Sequence, residues 1–150
     1  MIRIAAAAAA CGLLLAGSPA LADDNEAAAF APIHQFAEAM NAGDPSKALT
    51  AYAPSADIID EFAPHHWDSF PDWAKAADSF FRAGGVTHFH MELAAPSNKE
   101  LGDRYAYAVV PSTLTFDANG KPTVEKGLFT FSLAKTDAGW RITGWAWSTL

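Results

Sequence analysis

Cysteine is nearly missing from this chain: Cys11 is the single one in 150 residues. It lies in a segment that reads as an export leader, so the mature chain offers no disulfide and no thiol nucleophile. Any chemistry must then use carboxylate, imidazole or hydroxyl groups. Positive charge is scarce too, with ten Lys or Arg against 17 Asp or Glu and a net charge of -7. Nucleic acid or an anionic membrane needs a dense basic face, so neither is expected as a partner of the mature protein. Long hydrophobic runs are also lacking. The longest, from Ile4 to Gly17, holds 14 residues, whereas a bilayer span needs roughly 20.

That run has the marks of a secretory leader over residues 1–22. Arg3 supplies a cationic start, Ser18-Pro19 breaks the apolar stretch, and Ala20-Leu21-Ala22 is the small-x-small pattern that a signal peptidase accepts. Asp23-Asp24 then opens an acidic sequence. Ala10-Cys11 loosely resembles a lipoprotein cleavage site, but few apolar residues precede it and Leu13-Leu14-Leu15 continue the run. Removing 22 of the 150 residues leaves 128, and Arg3 takes one of the ten basic residues with it, so the mature charge is -8. A periplasmic or secreted protein with one domain over 23–150 is expected, long enough to bury a real core without staples.

The halves of the mature chain differ in period. Phe30, Ile33, Phe36, Ala37 and Met40 make one helical stripe that Gly43 ends, with Pro32 at a first turn or a kink. Asp44-Pro45 opens a short second helix running to Tyr52. Asp57 to Phe62 alternates as a first strand. Ser69, with Asp72 three residues on, caps a third helix whose stripe is Trp73, Ala76, Ala77, Phe80 and Phe81 and whose end is Gly84-Gly85. From Val86 the period becomes two, giving strands near 86–94, 103–116, 123–135 and 140–149. Asn119-Gly120 supplies the positive φ angles of a tight hairpin. Helices first and hairpin-linked strands after them predict an α+β domain on an antiparallel sheet.

This order resembles the nuclear transport factor 2-like superfamily, in its SnoaL-like and ketosteroid-isomerase-like branch. The residues that carry the likeness are Asn41-Ala42-Gly43-Asp44, Tyr52-Ala53-Pro54-Ser55-Ala56-Asp57-Ile58-Ile59-Asp60 and Gly139-Trp140-Arg141-Ile142. The resemblance implies a cone: a curved antiparallel sheet wrapped over three N-terminal helices around a cavity, with many members dimerising through the outer sheet face. It also places Asp60 where isomerase-like members carry a proton-shuttling base. Their oxyanion donors are unmatched, because Phe36 stands for the tyrosine and Gly127 or Leu128 for the buried acid. Losing both donors costs several kcal/mol of transition-state stabilisation, so steroid isomerisation itself is not implied.

Several residues are candidates for a site. Asp60, between Ile58 and Phe62, is expected to be partly desolvated if that strand face lines the cavity, which raises a carboxyl pKa toward the acid-base range; the other reading is that it caps a neighbouring loop or bonds to backbone. Tyr105 and Tyr107 alternate with Val109, and the family pattern turns them into the cavity, where Tyr107 becomes a second catalytic candidate and both bind ligand with Phe36. His65 and Trp67 fall at the cavity mouth. His88, His90 and Glu92 share a strand face, read as a polar face rather than a metal site. Trp145 and Trp147 are expected on the outer face, as a homodimer interface. No metal or other cofactor is expected.

Two functions fit: a non-catalytic binding or assembly module for a small apolar or aromatic molecule, which the missing oxyanion donors favour, and an acid-base enzyme of isomerase, cyclase or dehydratase type using Asp60. Mass spectrometry of the exported protein is expected to find Asp23 at its N-terminus. An acylated Cys11 there would instead place the protein on a membrane.

Overall fold

A computed structural model describes residues 19–150, with side chains from Asp24 onward. The apolar leader run and Cys11 lie outside the described residues. Helix α1 (Pro19–Asn41) begins earlier than its apolar stripe suggests and runs through Pro32. Its end is set by Gly43 at φ +65°, a conformation that costs glycine little. A 3₁₀ turn (Pro45–Ala51) takes the place of the expected second helix. Strand β1 (Tyr52–Ile59) starts ahead of the alternation read from the sequence, and the two-residue β2 (His66–Trp67) folds back on it.

Helix α2 (Phe70–Ala83) is capped as expected, with Ser69 Oγ accepting from the Asp72 N–H at 3.3 Å. Four long strands follow, β3 (Val86–Leu93), β5 (Tyr105–Ala118), β6 (Lys121–Thr136) and β7 (Gly139–Thr149), together with a short β4 (Asn98–Leu101). Asn119 and Gly120 both take positive φ at the β5–β6 turn. The sheet order is β2-β1-β7-β6-β5-β3, with β4 also on β5. All pairings are antiparallel except β1 with β7, which run parallel, so the sheet is mixed rather than purely antiparallel.

The core lies between the concave sheet face and the helices, and Phe36 is at its centre, fully buried. Its ring stands 5.9–6.3 Å from those of Tyr52, Phe70, Trp73, Phe129, Phe131 and Trp145, mostly edge-on. That geometry sets positive ring edges against negative faces. Tyr52 and Phe70 stack at 4.2 Å, and Trp145 Nε1 donates to the buried Tyr52 hydroxyl at 2.9 Å. Burial pushes the Tyr52 hydroxyl well above its usual pKa, so it stays protonated.

Two facings differ from the sequence reading. Trp145 and Trp147 point inward and are nearly buried, not outward. The cause is a bulge in β7: Leu133 pairs with Ile142 but Ser132 pairs with Gly144, which leaves Thr143 as one extra residue. An extra residue inverts the parity of everything after it. Gly144 is required at this place, because a Cβ there would stand 2.5 Å from the Asp57 carbonyl oxygen of the parallel neighbour. Tyr105 and Tyr107 also face away from the core, 69% and 38% exposed, while Ala106, Ala108 and Val110 face in. Ala108 lies opposite Phe131 and Ala106 opposite Leu133, so the bulk on β6 demands small residues on β5.

Replacing Phe36 with Ala removes the ring that six others contact and is expected to cost about 3–5 kcal/mol of unfolding free energy. Urea denaturation measures it; a loss below about 1 kcal/mol would show that the cluster does not organise the core.

Candidate functional site

Where the Phe36 cluster stops, a cavity of about 280 Å³ opens between the sheet and α2. Its apolar wall includes Phe36, Met40, Phe89, Met91 and Leu114, with Trp73, Trp145 and Trp147 beside them. Its polar wall consists of Asp60 and Glu61, in the loop joining β1 to β2, and Glu125 of β6.

The loop is held at both of its acids. Asp60 Oδ2 accepts from Trp73 Nε1 at 2.9 Å, and its Oδ1 accepts from the Glu61 N–H at 2.7 Å. The Asp60 N–H in turn donates to the His65 carbonyl at 3.2 Å. Glu61 Oε1 accepts from both the N–H and the hydroxyl of Thr149 at 2.6 Å, which fastens the loop to the last turn of β7's ladder. Burial raises the Asp60 pKa against the opposing pull of the Trp73 hydrogen bond. Burial also raises that of Glu125, and the neighbouring charges of Glu61 and Asp60 push it the same way.

Of the residues singled out from the sequence, Asp60 and Phe36 come together in this cavity. Tyr105 and Tyr107 do not; they border a shallow surface depression beside β4. Neither hydroxyl can replace a lost oxyanion donor, which corrects the expectation placed on Tyr107. His65 is exposed, with Nδ1 3.2 Å from the Asp60 carbonyl oxygen, so it braces the loop from outside. Trp67 is buried against Phe62 at 4.8 Å, behind the loop rather than at a mouth. The two tryptophans expected at a dimer interface are cavity walls instead.

His88, His90 and Glu92 are all exposed and alternate with Phe89 and Met91. A second bulge lies between Thr87 and His90, and His88 takes φ +54° and pairs with Asp117 at 2.8 Å. This turns Phe89 and Met91 toward the cavity. Asp57, His66 and Asp68 approach one another at the exposed β1–β2 edge, with their ligating atoms within 4.8 Å.

Glu125 was missed in the sequence, although the signal is there. Stepping back by two from Phe131 through Phe129 and Gly127 reaches Glu125 on the same inner face, opposite Leu114. Gly127 has its own reason. A Cβ on it would lie 2.5 Å from Trp147 Cη2, so the glycine makes room for the indole.

Comparison with known proteins follows from this architecture. The family model described as the SnoaL-like domain matches residues 31–150. A function-unknown protein from Mycobacterium tuberculosis superposes with a TM-score of 0.72 at 16% identity, covering 90% of this chain and 78% of that one. A nuclear transport factor 2-like superfamily protein from Salmonella enterica serovar Typhimurium gives 0.69 at 18% identity, covering 85% and 89%. The CaMKII hub of S. rosetta gives 0.64 at 16%, covering 82% and 95%. At these identities the likeness concerns the fold. No curated protein matches the chain in sequence.

A carboxyl whose pKa is raised on folding contributes stability that is complete below its unfolded value and is lost as pH rises through the folded value. Glu125→Gln removes that ionisation without removing a hydrogen bond. The variant is therefore expected to melt higher at pH 7, by about one to a few degrees, and the gain should vanish as pH falls below the usual glutamate value of 4.5. Thermal unfolding across pH checks this; equal melting at both pH values would mean that Glu125 is freely solvated.

Proposed function

Since the chain belongs to the SnoaL-like domain family, we propose that it is an exported binding module whose cavity holds a small, largely apolar or aromatic molecule without turning it over. The observation that carries this reading is the composition of the cavity wall. Among the described residues that line it, every polar side chain other than a tryptophan indole is a carboxylate. Two of the indole N–H groups are already committed, Trp73 to Asp60 and Trp145 to Tyr52. A developing oxyanion needs preorganised donors, and this wall presents acceptors. What the wall does supply is ring surface, which rewards an apolar or aromatic guest through burial.

Asp60 is the one feature that favours the second reading, an acid-base enzyme of isomerase, cyclase or dehydratase type. Its pKa is raised by burial and it lines the cavity. Its two hydrogen bonds, however, suit a carboxylate that positions Trp73 and the loop. Assembly as a homodimer through the outer sheet face also belongs to this proposal. With the tryptophans inside, that face offers Tyr107, Val109, Pro111, Leu128, Thr130 and Ala146, which the strand register puts side by side.

Ala63 is exposed and lines the cavity, so it stands where the space opens to solvent. Ala63→Phe is expected to weaken binding of small aromatic probes at least tenfold in calorimetry while leaving the melting temperature nearly unchanged. Asp60→Asn should shift affinity only. Turnover of a bound compound that disappears in Asp60→Asn would replace the binding reading with the enzymatic one.

A further inference from the structure

All the ionisable groups of the cavity wall carry one sign. Asp60 and Glu61 come from the β1–β2 loop, Glu125 comes from β6, and no Lys, Arg or His is among the lining residues. Asp60 is hydrogen-bonded to Trp73 and Glu61, and Glu61 to Thr149. Glu125 has no hydrogen-bond partner among the described residues and stands under the repulsion of the other two acids. Such a wall repels carboxylate and phosphate guests. A neutral guest returns at most one hydrogen bond to Glu125 for the lost solvation and leaves its charge uncompensated. A cation compensates that charge, and the faces of Trp73, Trp145, Trp147 and Phe129 attract a cation through their ring quadrupoles.

The geometry points to a small organic amine as the ligand of this cavity, its ammonium group set toward Glu125 and Asp60 and its apolar body against the tryptophan and phenylalanine rings. A volume of about 280 Å³ lies at the small end of ligand cavities, which run from about 300 to 1,000 Å³, and suits an amine built on a single ring. This assignment rests on reading the cavity as a binding site and names the chemistry of its guest. The free acid, the ring walls and the want of any basic group act together: charge selects the head of the ligand, and the rings select its body.

Isothermal calorimetry with three probes of one shape tests it: 2-phenylethylamine as cation, 2-phenylethanol as neutral analogue and 3-phenylpropanoate as anion. At pH 7 the amine is expected to bind at least tenfold more tightly than the alcohol, and the anion not to bind. Glu125→Gln, a variant expected to fold at least as stably as the parent, should lower amine affinity about tenfold and leave alcohol affinity within about twofold. If the alcohol binds as well as the amine, or the variant binds the amine unchanged, the cationic assignment falls while the cavity remains a binding site. If the anion binds best, the assignment is reversed. If no probe binds and Ala63→Phe alters nothing, the binding reading and the amine fall together.

Discussion

The ring of Phe36 is the contact on which the rest of the molecule is built. It is fully buried on α1, and six aromatic rings from the 3₁₀–β1 junction, α2, β6 and β7 meet it. Among the described residues no backbone–backbone hydrogen bond joins α1 to the sheet, so side chains decide where the helix lies on it, by packing above all. The cavity is what remains beyond this cluster. Its walls share Phe129, Trp145 and Trp73 with the core, and a change in packing around Phe36 therefore reshapes the space as well as the stability.

Much of the frame could be read from residues whose roles are local. Ser69 and Asp72 announce the start of α2, Asn119-Gly120 the turn before β6, and Gly43 the end of α1, because each answers a backbone requirement within a few positions. The stripe that includes Phe36 was legible from its helical period, and Asp60 from alternation and the family likeness, although β1 ends at Ile59 and leaves Asp60 in the loop. What escaped was set by partners distant in sequence. The parity of β7 changes at Thr143, next to a glycine pressed against β1, and nothing near Trp145 in the chain records that contact. Likewise Tyr105-Ala106-Tyr107-Ala108 alternates equally well with either face inward, and only the bulk of Phe131 and Leu133 across the ladder decides for the alanines.

The character of the site follows from what β6 and β7 turn inward together. Once Trp147 turns inward, its indole takes the space beside Gly127, and the acid facing the cavity from β6 is Glu125, two positions earlier. The wall thus presents aromatic rings and carboxylates. Loop rigidity completes the arrangement, because Asp60 is held by α2 and Glu61 by Thr149 of β7. The loop brings its charges to the cavity at fixed places.

One small contact on α1 reaches beyond the core. Asn41 offers its carboxamide to a single residue of β3, accepting from the Met91 N–H at 2.6 Å and donating to the Met91 carbonyl at 2.9 Å. β3 is an outermost strand of the sheet, and its free rim would otherwise present those two groups to any extended segment passing by. The amide imitates one rung of a neighbouring strand and closes the rim at that point. At the opposite rim β2 has only two residues, too short to template another chain. The Asn41 amide and the shortness of β2 thus each leave less free rim for an added strand.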